Sequence, residues 1–149
     1  MGTIKKFEEL EMWQRARKLN NEIYNIINYE KLSKDYKLKE QMNGSCGSIM
    51  DNIAEGFERD GTKEFKTFLG YSKGSSGELK SQLYRALDRG YITKEEFDML
   101  YDETHQIGKM INGFMTYLRN TEFRGNKFKE PETPHGLTNY SKPKENPKN

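Results

Sequence analysis

At 149 residues the chain has room for one domain and a short extension. A hydrophobic share of 33% beside a charged share of 32% suits a small helical protein with much exposed surface, and a net charge of +2 is less than a dedicated nucleic-acid binder usually carries. The single cysteine, Cys46, excludes an internal disulfide and a cysteine-clustered zinc site.

The opening "MGTIKKFEELEMWQ" lacks the apolar core and cleavage site of a signal peptide, and Lys6 stands where a myristoylation signal wants Ser or Thr. No apolar run is long enough to cross a bilayer, so a cytoplasmic protein without a membrane partner is expected. The absence of proline from the first 130 residues permits long helices. Four such helices follow from apolar residues recurring at i, i+3, i+4 and i+7.

The first, over about 8–28, places Trp13, Ala16, Ile23 and Ile27 on one face, flanked by Met12, Leu19 and Ile26, with Glu11, Arg15, Lys18 and Glu22 opposite. Basic residues gather at its start (Lys5, Lys6, Arg15, Arg17, Lys18) and after its end (Lys31, Lys34, Lys37, Lys39). Acidic residues interleave in both, so a solvated face and a phosphate-binding face are both open. The second helix, 35–58, aligns Leu38, Met42, Cys46, Ile49, Met50, Ile53 and Phe57. The third, 62–89, aligns Phe65, Phe68, Leu69, Ser72, Ser76, Leu79, Leu83, Ala86 and Leu87. The fourth, 94–119, carries Phe97, Leu100, Tyr101, Thr104, Ile107, Ile111, Phe114, Met115 and Leu118. "RDG" links the second helix to the third. "RGYIT" links the third to the fourth, with Gly90 as a C-cap and Thr93 with Glu96 as a capping box. Short links force antiparallel neighbours, so the predicted fold is all-α, an up-down-up-down four-helix bundle over 1–120. The segment "KEPETPHGLTNYSKPKENPKN" holds all four prolines and reads as part of a solvated tail, 121–149. Up to Asn120 there are 19 basic and 19 acidic side chains, so the positive excess belongs to the tail. Phe123, Arg124, Lys127, Phe128 and Lys129 make a basic-aromatic mix there, suited to phosphates and bases or simply to solvation.

Glycines sit inside two of these helices. Gly44 and Gly47 of the second, and Gly70, Gly74 and Gly77 of the third, fall away from the apolar stripes. Folding the helices about the turn near Gly61 brings both sets to one height. Each interior glycine costs about 1 kcal/mol relative to alanine. Either another subunit packs on the exposed backbone, or the glycines mark mild kinks. On the core side, Cys46, Ser72 and Ser76 are small enough for close helix approach, and buried serine hydroxyls can bond back to the carbonyl at i−4, which makes them tolerable there. Asn52, Glu55 and Arg59 flank the stripe of the second helix. Glu55 and Arg59 fit a helix-end salt bridge, and the three also fit a polar cluster that fixes register.

"NIAEGFERDGTKEFKTFLGYSKGSSGEL" resembles the signature of four-helix-bundle proteins encoded in intervening sequences of bacterial 23S rRNA genes. The matching positions are Asn52 to Gly56 with Glu55 inside, Arg59, Glu64–Phe65, Gly74–Ser75 and Glu78–Leu79. "FEELEMWQRARKL" resembles the family's start and "RGYIT" its link into the last helix, so the resemblance covers about residues 7–119. It implies an antiparallel bundle that assembles as a ring-like homopentamer. That fold is similar to the accessory variability proteins of diversity-generating retroelements, which are pentamers that bind nucleic acid and a reverse transcriptase.

The function expected is a non-catalytic, homo-oligomeric binding protein with RNA or a ribonucleoprotein as partner, through Lys5, Lys6, Arg15, Arg17, Lys18, Lys34 and Lys37. The alternative is a scaffold such as an accessory subunit of a retroelement reverse transcriptase. Catalytic features are thin. His105 borders the last helix's core and His135 lies in the tail. No Glu-x-x-His unit of di-iron bundles occurs, and "GYSKGSSGEL" lacks the Gly-Lys-Ser/Thr ending of a phosphate loop. No cofactor or metal is expected.

Overall fold

Apolar periodicity becomes four long helices in the computed structural model, which describes residues 3–121. A 3-10 turn at Phe7–Glu9 precedes α1 (Glu11–Ile27). A short α2 (Glu30–Lys34) then leads to α3 (Tyr36–Glu58), α4 (Thr62–Asp88) and α5 (Lys94–Arg119). α3 packs against α1 and α4, and α5 packs against α4 and α1, so the long helices close around one core. Its centre is made of fully buried Leu19 and Ile23 from α1, Ile49 and Ile53 from α3, Leu69 and Leu83 from α4, and Ile107 and Ile111 from α5. The fold is the expected antiparallel four-helix bundle. The tail residues 122–149, including Phe123, Arg124, Lys127, Phe128 and Lys129, lie outside the described residues.

Glycine supplies the turns. Gly61 has φ of +114° and Gly90 of +75°, backbone that an L side chain resists. At the end of α4, Gly90 N–H donates to the Leu87 carbonyl (3.0 Å) and Tyr91 N–H to the Ala86 carbonyl (2.9 Å), the paired bonds of a Schellman motif. Thr93 Oγ1 then accepts from Glu96 N–H (3.1 Å), while the Glu96 carboxylate accepts from Thr93 N–H (2.8 Å), completing the capping box. Asp35 caps α3 by accepting from Leu38 N–H at 3.3 Å. It also accepts from Arg89 (2.8 Å) and the Tyr91 hydroxyl (2.9 Å), so the start of α3 is tied to the end of α4.

Some local expectations fail. The first helix begins at Glu11, not near 8, because Phe7 folds back in the 3-10 turn and packs edge-on against Trp13 with ring centroids 5.1 Å apart. Met12 takes the buried position and Trp13 stays half-buried. The link after α1, for which the sequence offered no element, holds the short α2, which sinks Leu32 into the core. Ser72 does not bond back along its own helix. Its hydroxyl donates 2.6 Å across to the Ile49 carbonyl of α3, a reach that close α3–α4 packing allows. Ser76 does bond within α4, to the Lys73 carbonyl at i−3 (2.6 Å).

Candidate nucleic-acid interface

Small residues set the spacing of α3, α4 and α5, and so the shape of the surface. Cys46, Ser72 and Ser76 are buried where the helices meet. A Cβ at Gly56 would lie 2.7 Å from Phe68 Cβ and 3.0 Å from Phe65 Cδ1, so α4 crosses α3 on bare backbone. Gly108 of α5 meets Ser76 in the same way, with a would-be Cβ 3.1 Å from its Oγ. Gly44, Gly47, Gly74 and Gly77 are different, because nothing lies within 4 Å of the missing Cβ. Gly44, Gly74 and Gly77 are exposed and Gly47 half-covered. Gly70 leans toward α5, with Met115 Cε at 3.9 Å.

The motif residues split between packing and local bonds. Phe65 is fully buried, edge-on to Phe57 at 5.8 Å and tilted against Phe114 at 5.6 Å. Asn52 donates to the Ser48 carbonyl (2.9 Å) and hydroxyl (2.8 Å) on its own helix. Glu55 and Arg59 form the expected ion pair at 2.9 Å, and Arg59 also lies over the Phe68 ring at 4.9 Å. Ser75 is buried in α4. Glu78 accepts from Ser45 Oγ at 3.5 Å, beside Gln82, which donates to the same oxygen at 3.0 Å.

The basic residues do not gather into one patch. Lys5, Lys6, Arg17, Lys18, Lys31, Lys34 and Lys37 are exposed and Lys39 is half-buried. The first set stands at the start of α1 and the Lys31–Lys39 set beyond its end. The 17 residues of α1, at about 1.5 Å each, hold them some 25 Å apart. Arg17 lies over the Trp13 ring at 5.9 Å, and Lys34 faces Glu30 at 3.8 Å. Arg15 is half-buried and committed to a contact between α1 and α5. Its guanidinium makes two bonds to Glu103 of α5, at 2.8 and 2.5 Å. The hydrogen bonds to Glu103 hold its pKa above the ordinary range. Arg15 and Lys18 border a groove of about 1020 Å³ between α1 and α5 whose carboxylates are Glu22, Glu95, Asp98, Asp102 and Glu103. That groove repels phosphate.

On its other side α5 faces α4 across a smaller hollow of about 270 Å³. Lys73, Lys80 and Lys109 line it with His105 and Asn112, over a floor of Ser76, Gly77 and Gly108, and no carboxylate takes part. Lys80 donates to His105 Nδ1 at 3.0 Å and lies 5.4 Å from the Tyr101 ring centre. Burial, with Lys80 and Lys109 nearby, holds the His105 pKa below its ordinary value. Tyr101 stacks on His105 and also meets Phe97 and Tyr84, the last 49% exposed. Sequence reasoning missed Lys73, Lys80 and Lys109. The signal was the i, i+7 spacing of Lys73 and Lys80 on one edge of α4, but the register that brings Lys109 opposite them is set by Ser76 against Gly108. Burial pushes the Cys46 thiol up to about 12, so it holds no thiolate at neutral pH. Among the described residues no helix is long and apolar enough to cross a membrane, and no group of three or more His, Cys, Asp or Glu is placed to hold a metal.

Comparison with family models matches residues 8–113 to the 23S rRNA-intervening sequence protein family. The chain belongs to that family. The match spans Asn52 to Glu78, the stretch that holds the α3–α4 turn and the seat of Gly56 against Phe68. The chain is also similar to a solved structure from Bacteroides thetaiotaomicron, described as a protein with unknown function from the S23 ribosomal protein family. The TM-score is 0.66 at 20% identity, covering 70% of this chain and 97% of that one, a likeness of fold. Comparison with curated proteins gives no match.

Proposed function

We propose that this family member is a non-catalytic helical protein that assembles with copies of itself, as the homopentamer its resemblance implies, and binds RNA or a ribonucleoprotein across the assembled surface. The carrying observation is the open space around Gly44, Gly47 and Gly74. Each costs its helix about 1 kcal/mol relative to alanine, and nothing within one chain requires it. A second copy seated on bare backbone supplies the missing reason, since most oligomers are closed homo-oligomers. A ring also multiplies a weak basic patch through avidity, which offsets the near-neutral charge of one subunit.

Light scattering after size exclusion tests the assembly. The parent chain should run as an oligomer, and Gly74→Leu should give a folded species of lower mass. A monomeric parent, or a fully assembled variant, would sink the assembly reading. RNA binding is tested by titration at rising salt, where affinity should fall as counterions are released. Charge reversal at Lys5, Lys6, Arg17 and Lys18 should weaken it without loss of helicity. Arg15 is left intact, because its reversal would break the α1–α5 bond. An oligomer that ignores RNA at low salt would replace this reading with that of a protein scaffold, such as a reverse-transcriptase accessory subunit.

A further inference from the structure

The two sides of α5 are chemically opposed. The side toward α1 carries the carboxylates, and the side toward α4 carries ammonium groups in a hollow without any. Among the described residues neither Lys73 nor Lys109 has an ion-pair partner. Lys80 is fixed rather than free, since it donates to His105 Nδ1 and sits over Tyr101. A ring that accepts at Nδ1 carries its hydrogen on Nε2, so His105 is neutral there and adds a donor rather than a fourth charge. Three like charges gathered around one hollow repel one another, and an anion between them relieves that repulsion. The bare backbone of Gly77 and Gly108 keeps the floor low, and Asn112 offers an amide at the rim. A volume near 270 Å³ is below the range of about 300–1000 Å³ typical of drug-sized ligands, so it suits a small anionic group. One turn beyond Lys80 on the same edge, Tyr84 stands 49% exposed, held by Phe97 at 4.8 Å and Tyr101 at 5.6 Å. A cationic groove continued by a braced aromatic face is the pairing that single strands use, phosphate on charge and base on ring.

We infer that the α4–α5 face is a track for single-stranded RNA, with a backbone phosphate in the lysine hollow and a base laid on Tyr84. The inference rests on RNA as the partner and gives that reading a further contact, in addition to the α1 lysines. The test is fluorescence anisotropy of a labelled, unstructured oligouridine against the full chain and its variants at several salt concentrations. Lys73→Gln with Lys109→Gln should weaken binding by tenfold or more. It should also lower the salt slope by about 0.7, the share of the one phosphate these lysines neutralise. Tyr84→Ala should weaken binding by about tenfold with the slope unchanged, since a stacked ring releases no counterion. If the parent binds and these variants bind equally well, the track is wrong while the RNA reading stands. If the parent binds no RNA, the RNA reading fails, and pyrophosphate is titrated while the His105 ring resonance is followed. A saturable shift lost in the lysine double variant would overturn the track and keep the hollow as a site for a free phosphorylated ligand. No shift would overturn both. A fall in the mass of the lysine double variant by light scattering would make the hollow a contact between copies, which also overturns the inference.

Discussion

A methyl group added at Gly56 falls 2.7 Å from Phe68 Cβ, whereas one added at Gly44 meets nothing within 4 Å. The same substitution should therefore act with opposite signs on one helix. Gly56→Ala forces α3 and α4 apart and should cost about 1–3 kcal/mol in chemical denaturation, despite better helix propensity. Gly44→Ala should stabilise the isolated subunit by up to about 1 kcal/mol. Phe65→Ala, which empties a fully buried ring site between Phe57 and Phe114, should cost about 3–5 kcal/mol. The sequence could place Gly44 and Gly74 outside, because a stripe defines its own opposite face. It could not say what Gly56 is for, because the demand on Gly56 comes from Phe68, a residue of the next helix. The acceptor of Ser72 was hidden for the same reason, since Ile49 lies on a neighbouring helix.

At the scale of elements, ends written in local chemistry were legible and those sealed by distant partners were not. Thr93 and Glu96 announce the start of α5, and Thr93→Ala should cost about 1 kcal/mol in thermal unfolding. Asp35 caps α3 locally, yet it also binds Arg89 and Tyr91 just after α4. The Tyr91 hydroxyl, then Leu38 N–H and Arg89, hold its carboxyl below the ordinary carboxylate range. A depressed carboxyl contributes stability above its unfolded value, and that share is lost as pH falls through the folded value. Asp35→Asn should thus be less stable at neutral pH and lose less on acidification. His105 titrates in a higher window. Its depressed pKa means the unfolded chain binds the proton first, so stability should decline as pH drops below the ordinary histidine range. His105→Gln should remove that decline, measured as the unfolding midpoint between neutral and mildly acid buffer. α2 escaped notice because five residues are too few to show a period; only Leu32 reveals it, by its burial.

For the whole molecule, short links and four stripes were enough to specify a bundle in which α1 closes on both α3 and α5. They were not enough to show which charges share a groove. Lys73, Lys80 and Lys109 meet through the register of α4 on α5, and Arg15 leaves the basic set because that closure delivers Glu103 to it. Fold and assembly should also respond separately. In Gly44→Ala with Gly74→Ala, the denaturation midpoint of the subunit should rise while oligomer mass, followed on dilution, should fall at higher concentration than for the parent. A parallel rise in both would mean the exposed backbone carries no contact.

Cys46 gives this molecule a built-in reporter. It is the only sulfhydryl in the chain, fully buried on α3 at the level of the small residues that seat α4. An alkylating reagent reaches it only when that seam breathes, and with the thiol pushed up to about 12 reaction must await exposure to water. Uptake of one iodoacetamide adduct, timed by mass spectrometry, then measures the opening free energy of the α3–α4 seam without any engineered label. If copies clamp the outer glycines, labelling should be slower in the assembled parent than in Gly74→Leu at equal pH and temperature. Equal rates would place the clamp elsewhere on the surface.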